Sequence, residues 1–349
     1  MRAKSLSLLL LLALAGCEKN EPKPESTRKD ADAGLSKVEA IDPNLAEAVA
    51  AASAAPAPGA ARTQVEGAPP LDGVFAPGAA DKELARGAVP KITLGSEGGD
   101  PKVQLGSSKT PAKLSGTIQV AVQSDPRQGA LPILLGVTLE PKKGEAKGDK
   151  PAAQLVTARI TSAKIDTTGI PKEVDDQIGK LKGSKVEYSI LPNGAASGMR
   201  IEVAKGAPDD IVHSLADALG LLTIPYPDKP IGAGGYFMVT SRDELMGLDL
   251  VTYRMIKVKE VTPEGVTLDV NTKRYSASRT LELPGMPPDV DKTLFQFEAA
   301  AEGTLRVTPG ALLPAKGEVN SVLGAVFNAT DPKRRPSIQL QTRTQLDLK

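Results

Sequence analysis

The sequence predicts a β-dominant α+β fold: a long antiparallel sheet, half-barrel or sandwich-like, with two helices packed on it and a disordered linker before it. Three observations predict this. Apolar and polar residues alternate with period two in many short runs after residue 114. Two segments among those runs carry apolar residues at helical spacing instead. The preceding segment, rich in Ala, Pro and Gly, shows neither pattern over any useful length.

The strand signals come first. Ile118/Val120/Val122, Val186/Tyr188/Ile190, Ile201/Val203, Val266/Leu268/Val270 and Leu305/Val307 each alternate with polar neighbours. The longest run closes the chain, with Ile338, Leu340, Thr342, Thr344, Leu346 and Leu348 on one face. Gln339, Gln341, Arg343, Gln345 and Asp347 occupy the other. One buried face per strand means antiparallel pairing. Pro192-Asn193-Gly194 and Pro263-Glu264-Gly265 supply turns between runs. About ten to twelve strands fit residues 114–349, enough chain for a substantial core.

Two helices are expected. The first, Pro171 to Lys182, carries Val174, Ile178 and Leu181 on one side. The second, Pro208 to Leu222, opens with Pro208, Asp209 and Asp210, residues suited to a first turn. Ile211, Leu215, Ala218, Leu219 and Leu222 then form its apolar stripe.

Before residue 114 the reading is different. Residues 17–113 are expected to form a disordered tether, because they contain too little apolar surface to offset the entropy of ordering. A coil of about 96 residues spans roughly 50–60 Å on average. Residues 1–16 read as an export signal. Arg2 and Lys4 lead an apolar stretch from Leu6 to Leu14, too short for the roughly 20 residues a membrane-crossing helix needs. Leu14-Ala15-Gly16-Cys17 resembles the lipobox of bacterial lipoproteins. That resemblance implies cleavage before Cys17 and lipidation of its thiol. Cys17 is the one cysteine in the chain, so no internal disulfide competes for it. One acyl chain holds a protein marginally, and two or more hold it stably. Glu18, following the cysteine in place of aspartate, favours the outer membrane where an organism has one.

The search for catalytic chemistry yields little. His213 is the one histidine in the chain and lies within the second expected helix, beside Ile211 and Leu215. A zinc site or a Ser–His or Cys–His nucleophile has little to draw on. Asp175/Asp176 and Asp209/Asp210 belong to helix starts, while Asp243/Glu244 and Asp289/Asp291 lack a calcium-loop pattern. Gly232-Ala233-Gly234-Gly235 precedes a strand, whereas a phosphate loop opens a helix, so a turn or bulge is expected there. Lys333-Arg334-Arg335 reads as a solvated loop. Removing Arg2 and Lys4 with the signal leaves 41 basic residues (43 less two) against 42 acidic, which argues against nucleic acid as a partner. No enzyme activity, metal or cofactor is expected.

From Ile211 onward the chain also resembles an uncharacterised family of exported bacterial lipoproteins, known as a domain of unknown function. The resemblance rests on three features: the amphipathic helix with Leu222-Thr223-Ile224-Pro225-Tyr226-Pro227-Asp228-Lys229-Pro230-Ile231-Gly232-Ala233-Gly234, the hairpin Tyr253 to Val270, and Glu302 to Val307 leading through Leu313-Pro314 to the last strand. Tyr236 departs from the tryptophan that pattern expects. The resemblance brings no catalytic residues. It agrees with a non-catalytic interaction domain held at a membrane through Cys17, meeting an envelope protein. The alternative is a carrier of a hydrophobic ligand or lipid in a sheet–helix cavity, with Tyr236, Met238, Phe295, Phe297 and Phe327 among its lining.

Overall fold

The computed structural model describes residues 69–106, 113–123, 130–143, 153–245, 248–281, 291–311, 313–329 and 335–349. Cys17, Asp289, Lys333 and Arg334 lie outside them. The strands are β1 (Lys91–Ser96), β2 (Leu114–Gln123), β3 (Leu131–Lys143), β4 (Gln154–Ile165), β5 (Lys185–Ile190) and β6 (Ala196–Glu202). They continue with β7 (Tyr236–Leu245), β8 (Leu248–Thr262), β9 (Gly265–Ser276), β10 (Leu294–Val307), β11 (Lys316–Phe327) and β12 (Ser337–Leu348). The helices are α1 (Ala79–Glu83), α2 (Lys172–Gly179) and α3 (Asp209–Leu222).

All twelve strands form one antiparallel sheet in the order β1-β7-β8-β9-β10-β11-β12-β2-β3-β4-β5-β6. It is an open sheet, with β1 and β6 at its edges. Two meanders, β2–β6 and β7–β12, meet where β12 pairs with β2, so the last strand lies mid-sheet. Lys349 and Ser115 exchange backbone hydrogen bonds at 2.9 Å and seal that seam.

The expected alternation survives in the register. Leu346 faces Ile118, Thr344 faces Val120 and Ile118 faces Leu135, so one face of the sheet collects the apolar set. The two turn motifs close the β5–β6 and β8–β9 hairpins, where Gly194 takes a φ of 79° and Gly265 faces Thr262. Pro171 and Pro208 stand at the N-caps of α2 and α3, followed by acids in the first turn.

Topology explains where α3 goes. The chain leaves β6 at one edge and must reach β7, next to the other edge, ten strand positions away. Flat, that would be about 48 Å at the usual strand spacing. Instead α3 crosses the apolar face and the sheet curls around it. The carbonyl of Thr223, just past α3, accepts a hydrogen bond from Arg254 on β8 at 2.9 Å. Three residues later, Tyr226 N–H donates to Asn193 C=O in the β5–β6 turn at 2.7 Å. Three residues reach about 10 Å, whereas eight flat strand spacings would separate β8 from β5 by about 38 Å. The concave core therefore draws on the whole sheet, from Phe237 and Ile256 through Ile118 and Leu135 to Val186 and Tyr188, packed on Ile211, Leu215 and Leu219.

The expected tether boundary at residue 113 requires a correction, because residues 69–106 belong to the fold. β1 pairs with β7 and lays Ile92 and Leu94 against the core. Upstream, Val74 and Phe75 are buried, and Phe297 N–H donates to Asp72 C=O at 2.9 Å. The glycines explain part of this docking. A Cβ on Gly232 would lie 1.7 Å from the Gly99 oxygen, and Gly232 N–H donates to Glu97 C=O at 2.8 Å. Backbones this close require residues without side chains. The cluster Gly232–Gly235 is the expected turn before a strand, and it also clasps 97–103.

Candidate functional site

Among the described residues, two regions gather several polar or apolar groups that the fold itself does not consume. The first lies beneath α3 on the concave face. On β8 and β9, Thr252 faces Arg274 and Arg254 faces Thr272, so two arginines and two threonines form a square. Arg254 donates to the carbonyls of Gly220 and Thr223, placing a cation at the negative end of α3. Arg274 donates to Asp217 of α3 at 2.7 Å. Burial pushes the Arg254 guanidinium below its ordinary value. Burial also pushes Arg274 down, but the Asp217 carboxylate outweighs it and holds Arg274 above. Asp243 on β7 adds a second carboxylate within electrostatic reach of both, so the group is balanced in charge.

Four atoms of the square are sealed from solvent and unpaired: Thr252 Oγ1, Arg254 Nε, Thr272 Oγ1 and Arg274 Nε. Each such group destabilises by about 1–3 kcal/mol, so the surrounding apolar contacts must outweigh them. Beside the square is a cleft of about 30 Å³ between α3 and β9–β12. Ser214, Asp217 and Arg274 line it on one side, Ser321, Thr342 and Leu340 on the other. About 10–15 Å³ holds one water, so this volume of about 30 Å³ suits about two or three waters and is far below that of an acyl chain.

The second region is on the outer face, opposite α3. Tyr236, Met238 and Met255 are 40%, 43% and 47% exposed. Met238 and Met255 are direct cross-strand partners on β7 and β8. The Tyr236 ring lies over Gly95 of β1, where an added Cβ would meet its Cε2 at 2.1 Å. A glycine on an edge strand thus seats the ring that its neighbour projects. Lower on the same face the chain covers its own apolar residues. α1 and Phe75 pack over Val251, Tyr253 and Tyr275, and the ring pairs Phe75–Tyr275 and Tyr253–Tyr275 meet edge-on at 6.0 and 5.7 Å. Arg242 and Arg86 hold Asp249, and Arg242 also donates to Leu84 C=O at 3.0 Å, pinning this segment down. Among the described residues the cover stops short of Tyr236, Met238 and Met255, which remain exposed.

These placements sort the residues singled out in the sequence. Tyr236 and Met238, expected among cavity-lining side chains, point away from the concave face. Phe297 and Phe327 are buried in a small cluster with Val74, Leu250 and Leu294. Phe295 is half-buried beneath the Arg335 guanidinium, 3.5 Å from the ring centroid. None of these five side chains lines the cleft beneath α3. His213 is half-buried on α3. Asp209 and Asp210 lie in the first turn of α3, where Asp210 Oδ1 accepts from Ile211 N–H. Asp291 accepts from Thr293 N–H at 2.9 Å. Among the described residues no three His, Cys, Asp or Glu side chains gather as a metal site.

No family model and no curated protein matches the chain. The outer-face platform therefore stands as the candidate site on its geometry alone. Sequence reasoning missed it because Tyr236-Phe237-Met238-Val239 is apolar throughout, and such a run does not declare which face is solvent. The buried arginine square carried no signal either, since Arg254 and Arg274 read as ordinary polar positions.

Proposed function

We propose that this protein is an exported lipoprotein, anchored by acyl chains on Cys17, whose β-rich domain is a non-catalytic interaction module of the cell envelope. The observation that carries the reading is the bare Tyr236/Met238/Met255 platform on a sheet whose concave side is filled by α3. Large apolar side chains grouped on a rigid open face mark a binding surface. The ligand-carrying alternative would need α3 to leave its seat, since the cleft beneath it is about 30 Å³. The lipobox resemblance at Leu14–Cys17 supports the anchor, and the tether read ahead of the domain would give it reach.

The anchor is tested by feeding cells a palmitate analogue and following membrane fractionation. Label and membrane association are expected in the natural chain and lost in Cys17→Ala. A chain that stays unlabelled, or a variant still labelled, overturns the lipoprotein assignment. The interaction role is tested by photocrosslinking from position 238 in cells, against position 142 on the outer face of β3 as control. Equal, unspecific products from both positions would remove the platform from consideration.

A further inference from the structure

α3 brings to the sheet the same groups that a fatty acid would bring. Ile211, Leu215, Leu219 and Leu222 pack on the apolar floor, and Asp217 sets one carboxylate against Arg274 at 2.7 Å. The match in hydrogen bonds is incomplete. A guanidinium offers a carboxylate two parallel N–H groups, and Asp217 engages Nη2 of Arg274 while Nε of the same edge stays unpaired. Arg254 spends Nη1 on the Gly220 and Thr223 carbonyls, and its Nε is unpaired as well. The Thr252 and Thr272 hydroxyls beside them also lack partners. Buried polar atoms are nearly always paired. Four orphans in one square therefore mark a seat that the helix fills in shape without completing its polar floor.

Charge points the same way. The groups acting on the two arginines are Asp217 on α3, Asp243 on β7 and each other. With α3 seated, two cations meet two carboxylates. Without it the sheet keeps two cations against Asp243 alone, because Asp217 leaves with the helix. The helix is also not enclosed on every side. Asp209, His213, Asp217 and Gly220 form a half-exposed line along it, and the link before it exposes Lys205 and Gly206, the latter at a φ of 75°. We propose that α3 is the resident occupant of a fatty-acid site. A long-chain fatty acid displaces it, laying its acyl chain on the apolar floor and its carboxylate on the Nε–Nη2 edge of Arg274. The 14 residues of α3 run about 21 Å, a span that extended palmitate fills. This site is independent of the outer-face platform and of the anchor at Cys17.

The test uses delipidated residues 18–349, which carry every described element but neither export signal nor anchor, and combines native mass spectrometry with competition binding. Palmitate should bind at one per chain. It should bind more tightly than hexadecanol, which lacks the carboxylate, and than butyrate, which lacks the chain. Both long-chain ligands require the same movement of α3, so the ratio of their affinities reports the arginine alone. Arg274→Gln should cut that ratio about tenfold or more, the scale of a hydrogen bond to a charged group. Thermal melts establish that each variant folds. Should Arg274→Gln unfold, Arg274→Lys, which keeps the charge without the paired N–H edge, reads the same ratio. Asp217→Asn removes the competing carboxylate and should raise the affinity for palmitate, whereas Met238→Gln on the outer face should change neither ligand. Hydrogen exchange supplies the second readout: palmitate should speed exchange in 209–222 and leave β8 and β9 protected. No palmitate binding overturns the inference. So does binding with α3 still protected, or a palmitate-to-hexadecanol ratio that the Arg274 variants leave unchanged. None of these outcomes touches the crosslinking from position 238 or the labelling at Cys17, which stand or fall by themselves.

Discussion

Arg254 on β8 reaches across the core to donate a hydrogen bond to the carbonyl of Thr223, at the exit from α3. Its second acceptor is the Gly220 carbonyl at 3.2 Å. One side chain thus satisfies the end of the helix that crosses the sheet, where carbonyls lack helical partners.

Replacing it should be expensive. Arg254→Met keeps much of the volume but leaves two buried carbonyls without a donor, and a loss of about 2–4 kcal/mol is expected. Urea unfolding measures it. A change below about 0.5 kcal/mol, the size of a neutral surface substitution, would mean that α3 does not depend on this contact.

The inclusion of residues 69–106 in the fold has its own consequence. Gly232→Ala would place a Cβ 1.7 Å from the Gly99 oxygen, so the clasp between 97–103 and 231–235 must open. A loss of about 2–3 kcal/mol is expected, the scale of a steric clash against backbone. Gly169→Ala, with a φ of 81° but open space around its Cβ, isolates the backbone strain alone and should cost about 1 kcal/mol. Equal costs at the two glycines would count against close packing at the clasp.

The two faces of the sheet should separate by stability. Phe297 is 2% exposed, and Phe297→Ala should cost about 3–5 kcal/mol. Met238 is 43% exposed, and Met238→Ala should stay within about 0.5 kcal/mol. Paired denaturant titrations decide it, and a large loss at Met238 would place that residue inside.

Acid should loosen the segment over the outer face. Hydrogen bonding from Arg242, joined by Arg86, holds the Asp249 carboxyl below the usual carboxylate range against the opposing effect of burial. A depressed folded pKa contributes stability above the unfolded value of about 3.9, lost as pH falls through that value toward the folded one. Asp249→Asn should therefore be less stable than the natural chain at neutral pH, by about 1 kcal/mol or less for a partly screened pair. The difference should vanish in acid. Unfolding curves from neutral pH into acid test this, and a gap that persists in acid would argue that the carboxylate charge is not the cause.

Much of this architecture was legible beforehand because it is local. A period of two marked strands such as β9 and β12, proline and acids marked the start of α3, and Pro-Glu-Gly marked the β8–β9 turn. A side chain's face follows from its neighbours along the chain wherever polar and apolar residues alternate. Tyr236-Phe237-Met238-Val239 offers no such contrast, so pairing with β8 alone sends Phe237 inward and Met238 outward. β1 escaped notice for another reason. Its six residues sit among glycines and prolines, and the partner that orders them lies some 140 positions on, at Tyr236–Thr240. The curl of the sheet, the arginines under α3 and the bare platform all depend on residues far apart in the chain. By itself the sequence determined the elements and the one-sided core; the tertiary structure decided which edge β1 joins, how α3 fills the concave side, and which apolar residues face water.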